Sequence, residues 1–406
     1  MGPSTSEYIF IRACIAFLHW IAPLSIAVSI ATFCYRPSRD SPLSEIKREN
    51  IKEFLRWAFL DIDDIDETYE EEVEEYVQMI EKNRQRQFEP GRGNACVFVV
   101  DCSTSVRLFC HGFNYHRTRL RRFFSVLPLR PHNAIAPRES PSDILTYWHR
   151  PHNSKTRLPI LFIHGIGIGL YPYVDLLREI TKDLKGTDSD DESVGIIAIE
   201  IMPISFRLTG QALLKQEMCT EIDKILKLHG WDKFVLISHS YGSVVSTHLL
   251  HTPHIAAKIG PIILIDPVTF LLHLPDVAFN FLHRKPRDSN EHRLQYFASN
   301  DIGVAHTLSR RFFWKENIVW KEDFGDRPVT VVLCGKDMIV NTEHIGGYLA
   351  GSDDEHYEKG AWKSQAWKGK GLDILWFEEL NHAEVFDQRT TRVKILRVIR
   401  EYCVNQ

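Results

Sequence analysis

The chain has 406 residues, enough for one large domain and an appendage, and its 44% hydrophobic and 25% charged residues are those of a folded protein. With 49 basic and 53 acidic residues its net charge is -4, which excludes the basic footprint of a nucleic-acid binder. Its eight Cys are scattered without a C-x-x-C pair, and there is no N-x-[ST] sequon, as expected of free thiols in a reducing compartment.

Ala13 to Phe33, ACIAFLHWIAPLSIAVSIATF, is an uncharged run of about 21 residues. At 1.5 Å per residue it covers the roughly 30 Å hydrocarbon core of a bilayer. It exceeds the apolar core of a signal peptide, and the segment before it holds Glu7 and only Arg12, so a retained transmembrane helix is expected. Arg36, Arg39, Lys47 and Arg48 follow it, which places the C-terminal body on the cytosolic side of a single-pass membrane protein.

Residues 41–157 read as a helical and irregular extension. Ile51, Phe54, Leu55, Ala58 and Phe59 fall at helical spacing, and Glu70 to Lys82 is an acidic helix. The intervening Asp61–Asp66 lacks the Gly and the final Glu of a calcium loop. His116 to Phe124 mixes basic and aromatic residues, which suits either an anionic membrane surface or a solvated helix face. Cys102, Cys110, His111 and His116 match no common zinc spacing, and no metal is expected.

From Leu158 the pattern becomes short apolar runs alternating with amphipathic helices. Strands are expected at 160–163, 195–201, 234–238, 261–265, 329–334 and 373–378, and helices at 171–184, 211–228, 241–250, 344–350 and 389–402. Fully apolar strands with helices between them predict a mostly parallel sheet covered on both faces. Residues 186–193 read as a surface loop. About sixty residues between Pro267 and Pro328 break the rhythm and are rich in aromatics: Phe270, Phe279, Phe281, Tyr296, Phe297, Phe312, Phe313, Trp314 and Trp320. A connection that long predicts a cap, assigned to residues 268–327, with helical parts at 276–282 and 307–314.

Phe234 to Val245, FVLISHSYGSVV, runs from an apolar strand through a tight turn into a helix. A serine at such a turn stands on a strained backbone with its hydroxyl presented to substrate. Small residues are needed on either side of it, and Ser238 and Gly242 supply them, although the first is usually Gly. Acyl transfer by Ser240 needs an acid and a base after later strands, in the order Ser, acid, His. VTVVLCGKD ends in Asp337, and DILWFEELNHAEVF carries His382. Asp266, in LIDP, is an alternative acid. The oxyanion needs an amide just after the serine, that of Tyr241, and one from the loop His164-Gly165-Ile166-Gly167, for which Ile166 is the candidate.

LFIHGIG, LISHSYGS, GKD and NHAEVF, in this order over about Leu158 to Tyr402, resemble the α/β-hydrolase superfamily. The resemblance implies an α/β-hydrolase fold with an inserted cap, Ser240 as nucleophile, Asp337 as acid, His382 as base, and no cofactor. The aromatic cap and the N-terminal span point to a membrane-anchored hydrolase of apolar, lipid-like esters, with membrane lipids as partners. Two other readings stay open. One is acyl transfer to another acceptor, since His382 to Asp387 fits an H-x₄-D pattern. The other is a catalytically silent membrane scaffold of the same fold.

Overall fold

The computed structural model describes residues 90–184, 193–286, 289–299, 301–351 and 360–404. The expected membrane span, the two helices between residues 51 and 83, and nearly all of the 186–193 loop lie outside the described residues. No helix among the described residues is long and apolar enough to cross a membrane.

Val97 to Gln406 form one compact unit built on a nine-stranded sheet. Its strands are β1 (Asn114–Arg117), β2 (Arg138–Glu139), β3 (Thr146–Arg150), β4 (Ile160–Ile163), β5 (Ile196–Glu200), β6 (Phe234–His239), β7 (Ile259–Ile265), β8 (Val329–Cys334) and β9 (Leu372–Phe377). They are ordered β2-β1-β3-β5-β4-β6-β7-β8-β9. β4 to β9 are mutually parallel, while β3 runs antiparallel to both β1 and β5. Seven longer helices are found among the described residues: α1 (Pro90–Cys110), α2 (Val174–Asp183), α3 (Lys215–Leu228), α4 (Gly242–Leu250), α5 (Ile302–Arg310), α6 (Thr342–Ala350) and α7 (Arg389–Val404). This is the α/β-hydrolase fold.

The central strands are apolar on both sides because both sides are covered. Alternation along each strand sends successive side chains to opposite faces. Leu161, Ile163, Leu236, Leu264 and Leu333 join one core with Ile222 and Ile225 of α3 and Val244, Val245 and Leu249 of α4. Ile160, Phe162, Val235, Ile263 and Val332 join the other with Leu176, Leu177 and Ile180 of α2 and Ile395, Val398 and Ile399 of α7. Arg392 of α7 holds Glu179 of α2 in a two-pronged pair at 2.8 and 2.9 Å, which fixes those helices on their shared face.

The sheet starts earlier than the expected first strand. β1, β2 and β3 come from the stretch read as an irregular extension, and β3 pairs with β5 from Thr146↔Glu200 to Arg150↔Ile196. The 116–124 stretch is also divided differently. His116 and Arg117 belong to β1, and Leu120–Ser125 is a short 3-10 turn with no buried residue. Among the described residues Cys110, Cys219, Cys334 and Cys403 are free thiols.

In the cap, helix α5 begins at Ile302, five residues before the expected start. Asp301 is the reason: its carboxylate accepts the Val304 N–H at 2.9 Å and caps the first turn. Phe270 is fully buried, whereas Phe279, Phe313, Trp314 and Trp320 are exposed.

Candidate active site

The strand-turn-helix at Ser240 forms where β6 enters α4. Ser240 has φ 51°, a left-handed conformation that costs a non-glycine residue energy. Three hydrogen bonds brace the turn: Ser240 N–H donates to Ile265 O at 3.0 Å, and Ser240 O accepts from the Ser243 amide and hydroxyl at 2.9 and 2.6 Å. Gly242 is required by close approach, since a Cβ there would stand 2.4 Å from Ile163 O. Ser238 is accommodated where Gly is usual because its hydroxyl accepts from Ser246 Oγ at 2.8 Å, which satisfies a group that is fully buried.

Asp337 and His382 follow β8 and β9 and meet Ser240 above the ends of the parallel strands. His382 Nδ1–H donates to Asp337 Oδ2 at 2.6 Å, and its Nε2 accepts the Ser240 hydroxyl at 2.9 Å. That tautomer leaves the Nε2 lone pair aimed at the serine. The other carboxylate oxygen, Asp337 Oδ1, accepts the amides of Ile339 and Val340 at 2.7 and 3.0 Å, so the acid cannot swing away. Asn381 joins the two loops: its Oδ1 accepts from Met338 N at 3.2 Å and from His382 N at 2.8 Å. Burial pushes the His382 pKa down, but the charge and hydrogen bond of Asp337, with Asp266 behind, outweigh it and leave the pKa above 6.5.

Asp266 is not the partner of the histidine ring. It sits at the end of β7 with φ 43°, and its Oδ2 accepts the Ala383 amide at 2.9 Å. The acid therefore grips the backbone next to His382, while Asp337 takes the imidazole. Asp266 follows β7 directly, whereas Gly335 and Lys336 separate Asp337 from the end of β8. Asp387, of the H-x₄-D pattern, is exposed and lies outside this line.

The Ile166 amide lies between two that are already bonded. Gly165 N–H donates to Tyr173 Oη at 3.1 Å and Gly167 N–H to Ile204 O at 3.0 Å. Neither the Ile166 nor the Tyr241 amide has a hydrogen-bond acceptor among the described residues. Gly165 is pressed against the elbow, where a Cβ would come 2.7 Å from the Ser240 Cβ. His164 holds this loop to the end of β5: its Nε2 accepts the Ile201 amide at 2.9 Å and its Nδ1–H donates to Gly165 O at 2.7 Å.

Three residues of the site were not singled out from the sequence. Tyr173 takes the Gly165 amide and bonds His239 Nδ1 at 2.7 Å. His239 Nε2 stands 3.8 Å from Asp266 Oδ2, too far for a hydrogen bond and close enough for charge to act. Burial lowers the His239 pKa despite that acid. Asn381 is the third. The linear signal for His239 and Asn381 is a polar side chain beside a recognised motif, as in Ser-His-Ser and Asn-His, and Tyr173 carries none.

The cap closes over this corner. Asn280 Nδ2 donates to Ile339 O at 3.0 Å and Arg284 Nη1 to Met338 O at 3.2 Å, immediately after Asp337. Ile166, Phe281, Leu294, Leu308, Phe312 and Met338 pack, partly buried, against the core cluster that includes Tyr241, Val244 and Val245. Ser240 is only 6% exposed.

No protein-family model and no curated protein matches the chain in sequence. Solved structures similar to it include a membrane phospholipase A described as a bacterial virulence factor, 12% identical, covering 74% of this chain and 91% of that one, at a TM-score of 0.44. A carboxylesterase from Bacillus subtilis is 10% identical over 75% of this chain and 98% of its own, at 0.42. The naproxen esterase of the same organism is 10% identical over 77% and 98%, at 0.41.

Proposed function

We propose that the chain is a serine hydrolase of carboxylic esters with apolar, lipid-like acyl groups, anchored to a membrane by residues 13–33 with its catalytic body in the cytosol. The observation that carries this is the continuous hydrogen-bonded line from Asp337 through His382 to Ser240. Ser240 Oγ attacks the ester carbonyl carbon while His382 Nε2 takes its proton, and Asp337 stabilises the resulting imidazolium. The carbonyl oxygen, now an oxyanion, lies against the Ile166 and Tyr241 amides, each such donor contributing about 3 kcal/mol. Collapse breaks the C–O bond, the alcohol leaves with the proton from His382, and water activated by the same imidazole releases the acid from Ser240.

The apolar side chains around the elbow support a hydrophobic acyl group. The exposed Phe279, Leu282, Phe313 and Trp314 on the cap support an encounter with an apolar surface. Because Ser240 is almost buried, the cap has to move for substrate to enter.

A fluorophosphonate probe tests the reading. It should label the wild-type chain and not Ser240→Ala, and esters of graded acyl length should be cleaved with a preference for the longer ones. A wild-type chain that stays unlabelled, or Ser240→Ala with full activity, defeats the hydrolase. Release of the protein by alkaline carbonate defeats the anchor alone.

A further inference from the structure

A second group of titratable side chains lies on the opposite flank of the sheet, away from Ser240. His116 stands on β1 and Tyr147 and His149 on β3, and the antiparallel register sets His116 beside Tyr147. His229 caps the C-terminus of α3. One ring nitrogen from each of the three histidines falls within 4.8 Å of the other two. The Tyr147 hydroxyl is 3.0 Å from His116 Nδ1 and 2.9 Å from His229 Nε2. The His149 and His229 rings lie 3.8 Å apart between centroids.

Hydrogen bonding within the chain does not account for this gathering. His116 is 6% exposed, and its Nε2 has no partner among the described residues. Neither nitrogen of His149 makes a hydrogen bond among them. Four buried or half-buried polar groups thus share two hydrogen bonds, an expensive arrangement when nothing else binds there. Burial lowers all three pKa values, to about 4 for His116, 3 for His149 and 4 for His229, Arg138 lowers each further, and the His229 imidazole also lowers the first two.

We infer that His116, His149 and His229, with the Tyr147 oxygen as fourth donor, bind a zinc-class divalent transition-metal ion. Imidazole nitrogen is the donor such ions prefer, and a structural site closes with four ligands. Metal–ligand bonds of about 2.0–2.1 Å in a tetrahedron put donors about 3.3 Å apart. The two contacts of Tyr147, at 3.0 and 2.9 Å, are already close to that spacing. Coordination would displace the phenolic proton to solvent. The donors come from two strands and one helix end, so the ion would pin the antiparallel edge of the sheet to α3. His149 and His229 are only partly buried and leave it a way in.

The experiment uses the full chain stripped with a chelator and dialysed against Zn²⁺. One equivalent should bind, and Tm should rise by roughly 5 °C at a hundredfold excess over Kd. His149→Ala and His229→Ala should each lose that equivalent, and Tyr147→Phe should weaken binding at least tenfold. Co²⁺ on the wild-type chain should give the strong visible absorption of a four-coordinate ion, a readout that needs no variant to fold. An absent Co²⁺ band, or Zn²⁺ stoichiometry unchanged in folded His149→Ala and His229→Ala, overturns the site. So does Zn²⁺ binding that disappears in His382→Ala and persists in His149→Ala, which would put the ion at Asp266, Asp337 and His382 instead.

Discussion

His382 and the trio His116, His149 and His229 show what burial does to the same side chain in two surroundings. In both places the loss of water pushes the imidazole toward its neutral form. At His382 a carboxylate in hydrogen-bonding contact reverses the outcome, and the pKa ends above its usual value. At the trio no acid is close enough to do so, and the rings fall to about 3 to 4. One arrangement suits a group that takes up and returns a proton near neutral pH, the other a group that stays neutral there. His132 extends the series: desolvation first and then the Arg130 charge push it well below its usual range, although Glu200 pulls the other way.

The sharpest way to break the contrast is at the serine, which gives the His382 lone pair its task. Ser240→Ala should lower ester turnover by about 10⁶ with the fold intact by circular dichroism. Next is the acid. Asp337→Asn should reduce kcat by about 10⁴ and move the acidic limb of the pH–rate profile to lower pH. The sign follows from the base having to be neutral: activity rises with pH through the raised His382 pKa, and removing the charge that raises it shifts the midpoint down. Stability runs the other way. The imidazolium–Asp337 pair contributes below the unfolded histidine pKa near 6.5 and is lost as pH rises through the folded value.

A buried cation can be removed where the acids depend on it. Arg130 bonds Glu200 at 2.7 and 2.9 Å and lies 3.4 Å from Asp101, and it holds the Glu200 carboxyl near a pKa of 2 against the effect of burial. Arg130→Met should lower unfolding free energy in urea by about 3–5 kcal/mol, because it strands buried charge. The smallest effect is expected at Asp266. Asp266→Asn keeps an acceptor for the Ala383 amide and removes only a charge, so kcat should fall about tenfold and the pH midpoint should drop by less than in Asp337→Asn.

The strands that could be read from the chain are those buried on both faces. Ile160–Ile163 and Val329–Cys334 agree to the residue, since an uninterrupted apolar run has no other use at that length. Asn114-Tyr-His-Arg and Thr146-Tyr-Trp-His-Arg escape because these antiparallel strands mix polar and charged side chains with aromatics and lose the continuous apolar signature. The order Ser240, Asp337, His382 was legible because a short motif marks each residue. Choosing Asp337 over Asp266 as the histidine's partner was a matter of a few ångströms, since both follow apolar strands. The histidine trio was invisible, as it joins positions 116, 149 and 229, which only pairing of β1 with β3 and the packing of α3 bring together.

Ser240 sits in a conformation suited to glycine, so the chain is less stable for having its hydroxyl where it is. Ser240→Gly should therefore abolish turnover and raise Tm at once. Stability and activity are opposed at this one backbone angle, and a lineage released from the need to catalyse would drift toward glycine here first. If Ser240 is the proposed nucleophile, the serine is a standing handicap that its chemistry justifies.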